Sequence, residues 1–291
     1  MPGIQQLIDA VLAIQRGLDI AGHAAWFVGQ NVDTVLSALH LFLFATADPF
    51  QPGHPFTSVG PVQEFTPLVQ AVADGALLAA LTWAFLRMMW AHGFQNKHTL
   101  RTLLPRAGLA ALLINFALPL VQGAVDSSNA ICESIALATR NQALLAVKGD
   151  FMWDLAAPGL YAVTMVVLFV AYLLLGFVYV VRFALLVVLT VLAPAAALLF
   201  VLPETHHYTR LWASLFISTL LMQPLQLLIL AIGFGLDRYG HVPVRHLFAL
   251  ASVYIVFKVP GALHTTSLVA GRASSLAKRE VTHALHVLAK A

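Results

Sequence analysis

The sequence predicts an all-α, polytopic membrane protein of about five spanning helices, N-terminus outside and C-terminus inside. Three observations carry this prediction. Of the 291 residues, 60% are hydrophobic and only 10% are charged, where a soluble domain carries about 25% charged residues. Mean hydropathy is +0.84, so the chain lacks the polar shell that water demands and lipid does not. Apolar runs of the ~20 residues that cross the hydrocarbon core as a helix recur along it.

The runs fall at about 67–90, 106–125, 158–181, 183–202 and 211–236. Together they predict a transmembrane helical domain over 65–236. A possible short sixth segment, LFALASVYIVF at 247–257, lies between His246 and Lys258. It is too short to cross unless Lys258 snorkels, and otherwise reads as a half-helix, a re-entrant segment or a helix buried in a complex.

Residues 1–64 contain no span and predict an extracytoplasmic amphipathic helical region. Ile4, Leu7, Val11, Ile14 and Leu18 recur in steps of three and four, and Val32, Val35, Leu36, Leu39 and Leu43 form a second stripe. Packing on the membrane domain and partner binding both suit such stripes. Four prolines in DPFQPGHPFTSVGP break the chain into a loop. No basic n-region precedes an apolar core at the start, so no removable signal peptide is expected. Residues 237–291 are expected to hold the short apolar segment and a basic amphipathic cytoplasmic tail. In that tail Ala277, Val281, Leu285 and Leu288 share a face.

Orientation follows from where the lysines and arginines fall. With five spans and the N-terminus outside, the cytoplasm receives Arg87, Lys97, Arg101 and Arg106, Arg182 at a tight turn, and Arg238, Arg245, Lys258, Arg272, Lys278, Arg279 and Lys290. Only Arg16, Arg140, Lys148 and Arg210 remain outside. Lys97, Arg101, Arg106, Arg182, Lys278 and Arg279 therefore make a basic cytoplasmic face. It suits anionic lipid or, transiently, nucleic acid phosphates.

Polar residues inside the runs are the candidate sites. Asp74 shares the first span with Gln70, beside a small-residue stripe of Ala71, Gly75 and Ala79. A deep carboxylate reads as a relay or pore group, or as an acid paired with a neighbouring helix. Asn115, Gln223 and Gln226 are pore or interhelical hydrogen-bonding candidates. Pro119, Pro194 and Pro224 are helix breaks that free backbone carbonyls. Twelve scattered histidines form no HExxH or Cys/His arrangement, and the lone Cys132 cannot pair. With no P-loop, dinucleotide fingerprint or nucleophile elbow, no metal, cofactor or catalytic site is expected.

The stretch from Arg182 to Gly233 is the most distinctive. An arginine opens an apolar run, LAPAAA sits at its centre, LPET leads to a short polar loop, RLW opens the next run, and QPLQ lies within it. This resembles the TrbL/VirB-type polytopic inner-membrane subunits of type IV secretion and conjugation machines. Arg182, Pro194, Pro203, Trp212 and Pro224 match the pattern. The resemblance implies a non-catalytic subunit of a translocation channel or pilus-assembly platform in the inner membrane, passing DNA or protein. It further implies a homo-oligomer and partners that include ATPases, pilin and scaffold proteins. The competing expectation is a small-molecule transporter or permease, which predicts deep polar groups on several spans and an internal repeat.

Overall fold

The computed structural model describes residues 45–51, 53–90, 96–138, 158–200, 205–239, 248 and 250–262, with scattered positions between 23 and 43. No strand occurs among them. The helices are α1 (Gly60–Trp90), α2 (Asn96–Asn115), α3 (Ala117–Ala138), α4 (Pro158–Val191), α5 (Ala193–Leu199) and α6 (His206–Tyr239). A short apolar α7 (Leu250–Ala262) follows. One 3-10 turn, Phe56–Ser58, precedes α1. The described positions between 23 and 43 are helical. Gly53, at φ 90°, supplies the left-handed backbone that the proline-rich loop needs.

Among the described residues, three stretches are long and apolar enough to cross a bilayer: Gly60–Leu86, Val166–Val191 and His207–Gly233. A fourth is the pair Pro105–Asn115 and Ala117–Ala138, bent by 66°. Of the about five spans expected from sequence, the described residues thus show three such helices, or four with the bent pair, and the runs 158–181 and 183–202 are not separate spans. The difference arises at Arg182. The separate runs 158–181 and 183–202 predicted a turn there, but α4 continues through it for 34 residues. No glycine, proline or asparagine stands near position 182, and reversing a helix takes a loop of about two to five residues. The break falls instead at Leu192, two residues before Pro194. Proline lacks the N–H that would continue the helix ladder.

The 66° bend at Phe116 has the same cause. Pro119 offers no N–H to the Asn115 carbonyl, and its ring crowds that oxygen. Pro224 lies inside α6 without ending it. The carbonyl it orphans, on Leu220, accepts a hydrogen bond from Ser128 Oγ at 3.2 Å. A serine on a neighbouring helix thus restores what the proline removed.

The chain forms two compact units. The first comprises Met1–Pro49, Asn129–Phe183 and Gln223–Phe257. Its core joins Val28, Leu39 and Leu43 to Cys132 of α3, Leu168, Tyr172, Leu175 and Tyr179 of α4, Leu227 and Leu230 of α6, and Val253 and Val256 of α7. Val35, Leu39 and Leu43 of the second N-terminal stripe and the short apolar segment thus pack on helices of this unit, while Val32 and Leu36 lie outside the described residues. Gly233 of α6 faces Ser252 of α7 so closely that an added Cβ would overlap the serine side chain.

The second unit comprises Phe50–Ser128, Ala184–Met222 and Lys258–Ala291. Ala73 and Leu77 of α1, Ala107, Ala110 and Ile114 of α2, and Ala197 of α5 form its core. The small side chains let the helices approach closely. Thr57 donates through its N–H and its Oγ1 to Gln122 Oε1, both at 3.0 Å, which fixes the turn before α1. The outer face of α1 is apolar, with Leu68, Val72, Leu78 and Trp83 each more than 60% exposed. Such a face is stable against lipid or another apolar surface and is unfavourable in water.

Candidate functional site

Buried residues of α4 recur as Leu168, Tyr172, Leu175, Tyr179, Arg182, Leu186 and Leu189, in alternating steps of four and three. Arg182 is in phase with this stripe and only 5% exposed. It was expected on the basic cytoplasmic face. The helix phase turns its side chain inward.

Arg182 belongs to a buried polar network within the first unit. Its Nη1 donates to Thr46 Oγ1 at 3.3 Å. The Thr46 hydroxyl donates to Gln223 Oε1 at 2.6 Å. Gln223 Nε2 donates to the Leu43 carbonyl at 3.0 Å. Thr46 N–H donates to Asn129 Oδ1 at 2.8 Å, and Asn129 Nδ2 returns a bond to the Thr46 carbonyl at 3.1 Å. The non-helical backbone at Thr46 is thereby satisfied by Asn129 of α3, and the Leu43 carbonyl before it by Gln223 of α6, the condition for irregular chain among membrane helices. One turn on, Gln226 Nε2 donates to the Val256 carbonyl of α7 at 3.2 Å. Gln226 Oε1 and Tyr179 Oη are buried without a hydrogen-bond partner.

Of the expected intramembrane candidates, Gln223 and Gln226 therefore meet in one unit. Gln70 and Asn115 meet in the other, where Gln70 Nε2 donates to Asn115 Oδ1 at 3.1 Å. Asn115 Nδ2 also donates to the Ala111 carbonyl, at 2.9 Å. Asp74 is half-buried on α1, one turn beyond Gln70. Arg106 is exposed on α2. Lys97 and Arg101 lie on α2 with side chains outside the described residues, and Lys278 and Arg279 lie outside them altogether. Thr46 and Asn129 were missed from sequence. Thr46 sits in a non-periodic stretch, which carries no phase. Asn129 follows Ser127 and Ser128 and reads like any polar patch.

The distinctive stretch folds into a second constellation, within the second unit. Thr205, Thr209 and Trp212, spaced four and three apart, donate to carbonyls around α5. Thr205 Oγ1 bonds Leu199 at 2.8 Å, Thr209 Oγ1 bonds Ala196 at 3.0 Å, and Trp212 Nε1 bonds Leu189 at 3.0 Å. The threonine of LPET and the tryptophan of RLW thus stabilise the backbone around the LAPAAA break. Trp212 also stacks on Phe216, with ring centroids 5.4 Å apart and planes within 5°.

No group of three or more His, Cys, Asp or Glu side chains suited to a metal occurs among the described residues. Apart from Gln226 Oε1 and Tyr179 Oη, the polar atoms described in both constellations bond backbone or one another. Their arrangement holds irregular segments and helix breaks in place.

Long apolar helices joined through buried amides and an in-phase arginine define an integral membrane protein of the helical class. The family model described as TrbL/VirB6 plasmid conjugal transfer like protein matches residues 4–290. The chain belongs to that family, which gives conjugal transfer by type IV secretion as its class of function. No curated protein and no solved structure matches it.

Proposed function

We propose that this protein is a non-catalytic, multi-pass inner-membrane subunit of a conjugation apparatus. It contributes to the translocation channel or to the pilus-assembly platform. The family match over residues 4–290 carries this reading. The Thr205–Thr209–Trp212 bonds support it, because they give the residues of the family-like stretch a structural task. Cytoplasmic ATPases supply the energy, pilin and scaffold proteins are the partners, and several copies assemble together. No observation favours a solute permease: Gln223 and Gln226 both donate to backbone carbonyls rather than forming a shared cavity.

The basic tail lies in the cytoplasm in this proposal. With α1, the bent α2–α3 pair, α4, α6 and α7 as crossings, the chain runs N-out and C-in. Arg272, Lys278, Arg279 and Lys290 then meet anionic lipid, and passing nucleic acid adds a transient contact.

Deletion of the gene from a donor strain tests the proposal. Transfer frequency should collapse and return with the wild-type gene in trans. Purification in mild detergent should recover secretion ATPase, pilin or scaffold subunits. Unimpaired transfer in the deletion strain, together with a chain that purifies alone, overturns the reading.

A further inference from the structure

We propose that the second unit contains a binding site for one acyl chain of an anionic phospholipid, with the headgroup held beside Arg210. The observation is a cavity of about 310 Å³. Its walls include Val121 of α3, Ala197 of α5, and Thr209, Trp212, Ala213 and Phe216 of α6. Two helix breaks create it. The 66° bend between α2 and α3 opens one side, and the small side chains around Pro194 leave the other unfilled.

The lining dictates the ligand's chemistry. Its polar groups are already used, since Thr209 Oγ1 bonds the Ala196 carbonyl and Trp212 Nε1 bonds that of Leu189. A polar ligand would lose its hydration and gain no new partner. Water is disfavoured too, because a cavity with apolar walls stays dry. Hydrocarbon fits without cost. The cavity also reaches the outside, where its lining residues Leu120 and Ile217 are 55% and 54% exposed. For a helix of this composition, the medium there is acyl chain. The inference rests on the membrane setting but is independent of any role in conjugation.

Charge selects the headgroup. Arg210 is exposed and directly follows Thr209 of the lining. Tyr208, also exposed, stands beside it with an amphipathic ring suited to the headgroup level. The start of α6 therefore carries an exposed positive charge next in sequence to a lining residue of the apolar slot. A zwitterionic lipid fills the slot equally well but gains less from Arg210.

Trp212 reports on the site directly. A full-length variant with Trp26, Trp83, Trp90 and Trp153 replaced by phenylalanine is placed in nanodiscs. These contain phosphatidylcholine plus a minor share of phosphatidylglycerol or phosphatidylcholine brominated on the acyl chains. Brominated phosphatidylglycerol should quench Trp212 at about fivefold lower mole fraction than brominated phosphatidylcholine, the preference one basic side chain gives. Ala213→Leu should reduce quenching by both lipids. Arg210→Gln should remove the preference while leaving the quenching. Equal quenching by both lipids in the parent, or quenching untouched by Ala213→Leu, overturns the proposal. Native mass spectrometry of the wild-type chain in mild detergent reads the same site without substitutions. Retained phosphatidylglycerol that Arg210→Gln releases supports it, and a lipid-free chain overturns it.

Discussion

At the scale of single residues, Gln223 is the most connected side chain of the buried network. It accepts from Thr46 and donates to Leu43, so its loss strands a hydroxyl and a carbonyl together. An unsatisfied buried group costs about 1–3 kcal/mol. Gln223→Leu should therefore lower the melting temperature in detergent clearly, and transfer should fall with it. A melting curve unchanged from wild type refutes this role. Ser128 does less, because it serves only the carbonyl orphaned by Pro224. Ser128→Ala should cost about 0.6 kcal/mol, the average for such bonds in membranes, and no more than about 1.7 kcal/mol. Pro224→Ala, which restores the helix N–H, should make Ser128→Ala nearly silent in a double-mutant cycle. Full additivity of the two substitutions contradicts that pairing.

At the scale of elements, continuity of α4 is the finding that reorders the sequence map. Cysteine scanning from 176 to 189 should show one helical period, with protection at 179, 182, 186 and 189. A burst of reactivity centred on 182 would instead restore the turn that the runs implied. The contact between α6 and α7 gives a second test at this scale. Gly233→Ala drives a methyl into Ser252. Overpacking of this kind costs about 1–3 kcal/mol. Thermal stability should drop, and Ser252→Gly should recover part of it by making room. Much of this was open to reading from the sequence. The three-four alternation through Tyr179, Arg182 and Leu186 sets the phase that buries the arginine. A count of apolar residues ignores phase, so the one charge in a long run resembled a boundary.

At the scale of the whole molecule, the proposed topology is set by the number of crossings and the placement of charge. With α7 crossing, the segment between α1 and α2 and the basic tail share the cytoplasm. Without it, the positive-inside rule keeps the tail inside but moves the N-terminus there too. Cys132 is fully buried, so the wild-type chain is a quiet background for labelling. Cysteines introduced at His98 and His283 should react with an impermeant maleimide only after the cells are opened. One introduced at Gln15 should react in intact cells. Labelling of His98→Cys from outside, with His283→Cys protected, removes α7 from the set of crossings.

What the sequence determined alone is the solvent and the family. Composition demands lipid around an all-helical chain, and the stretch from Arg182 to Gly233 carries enough pattern to be recognised. The proline breaks at 119 and 194 were also legible, because a missing N–H is a covalent fact. Only the tertiary structure decided that Thr46 and Asn129 enclose irregular backbone, that Ser128 satisfies the carbonyl Pro224 orphans within α6, and that alanines around Pro194 leave a cavity. Each of these joins residues more than ten positions apart. Local periodicity gives a side chain its face, but the partner on that face comes from another helix.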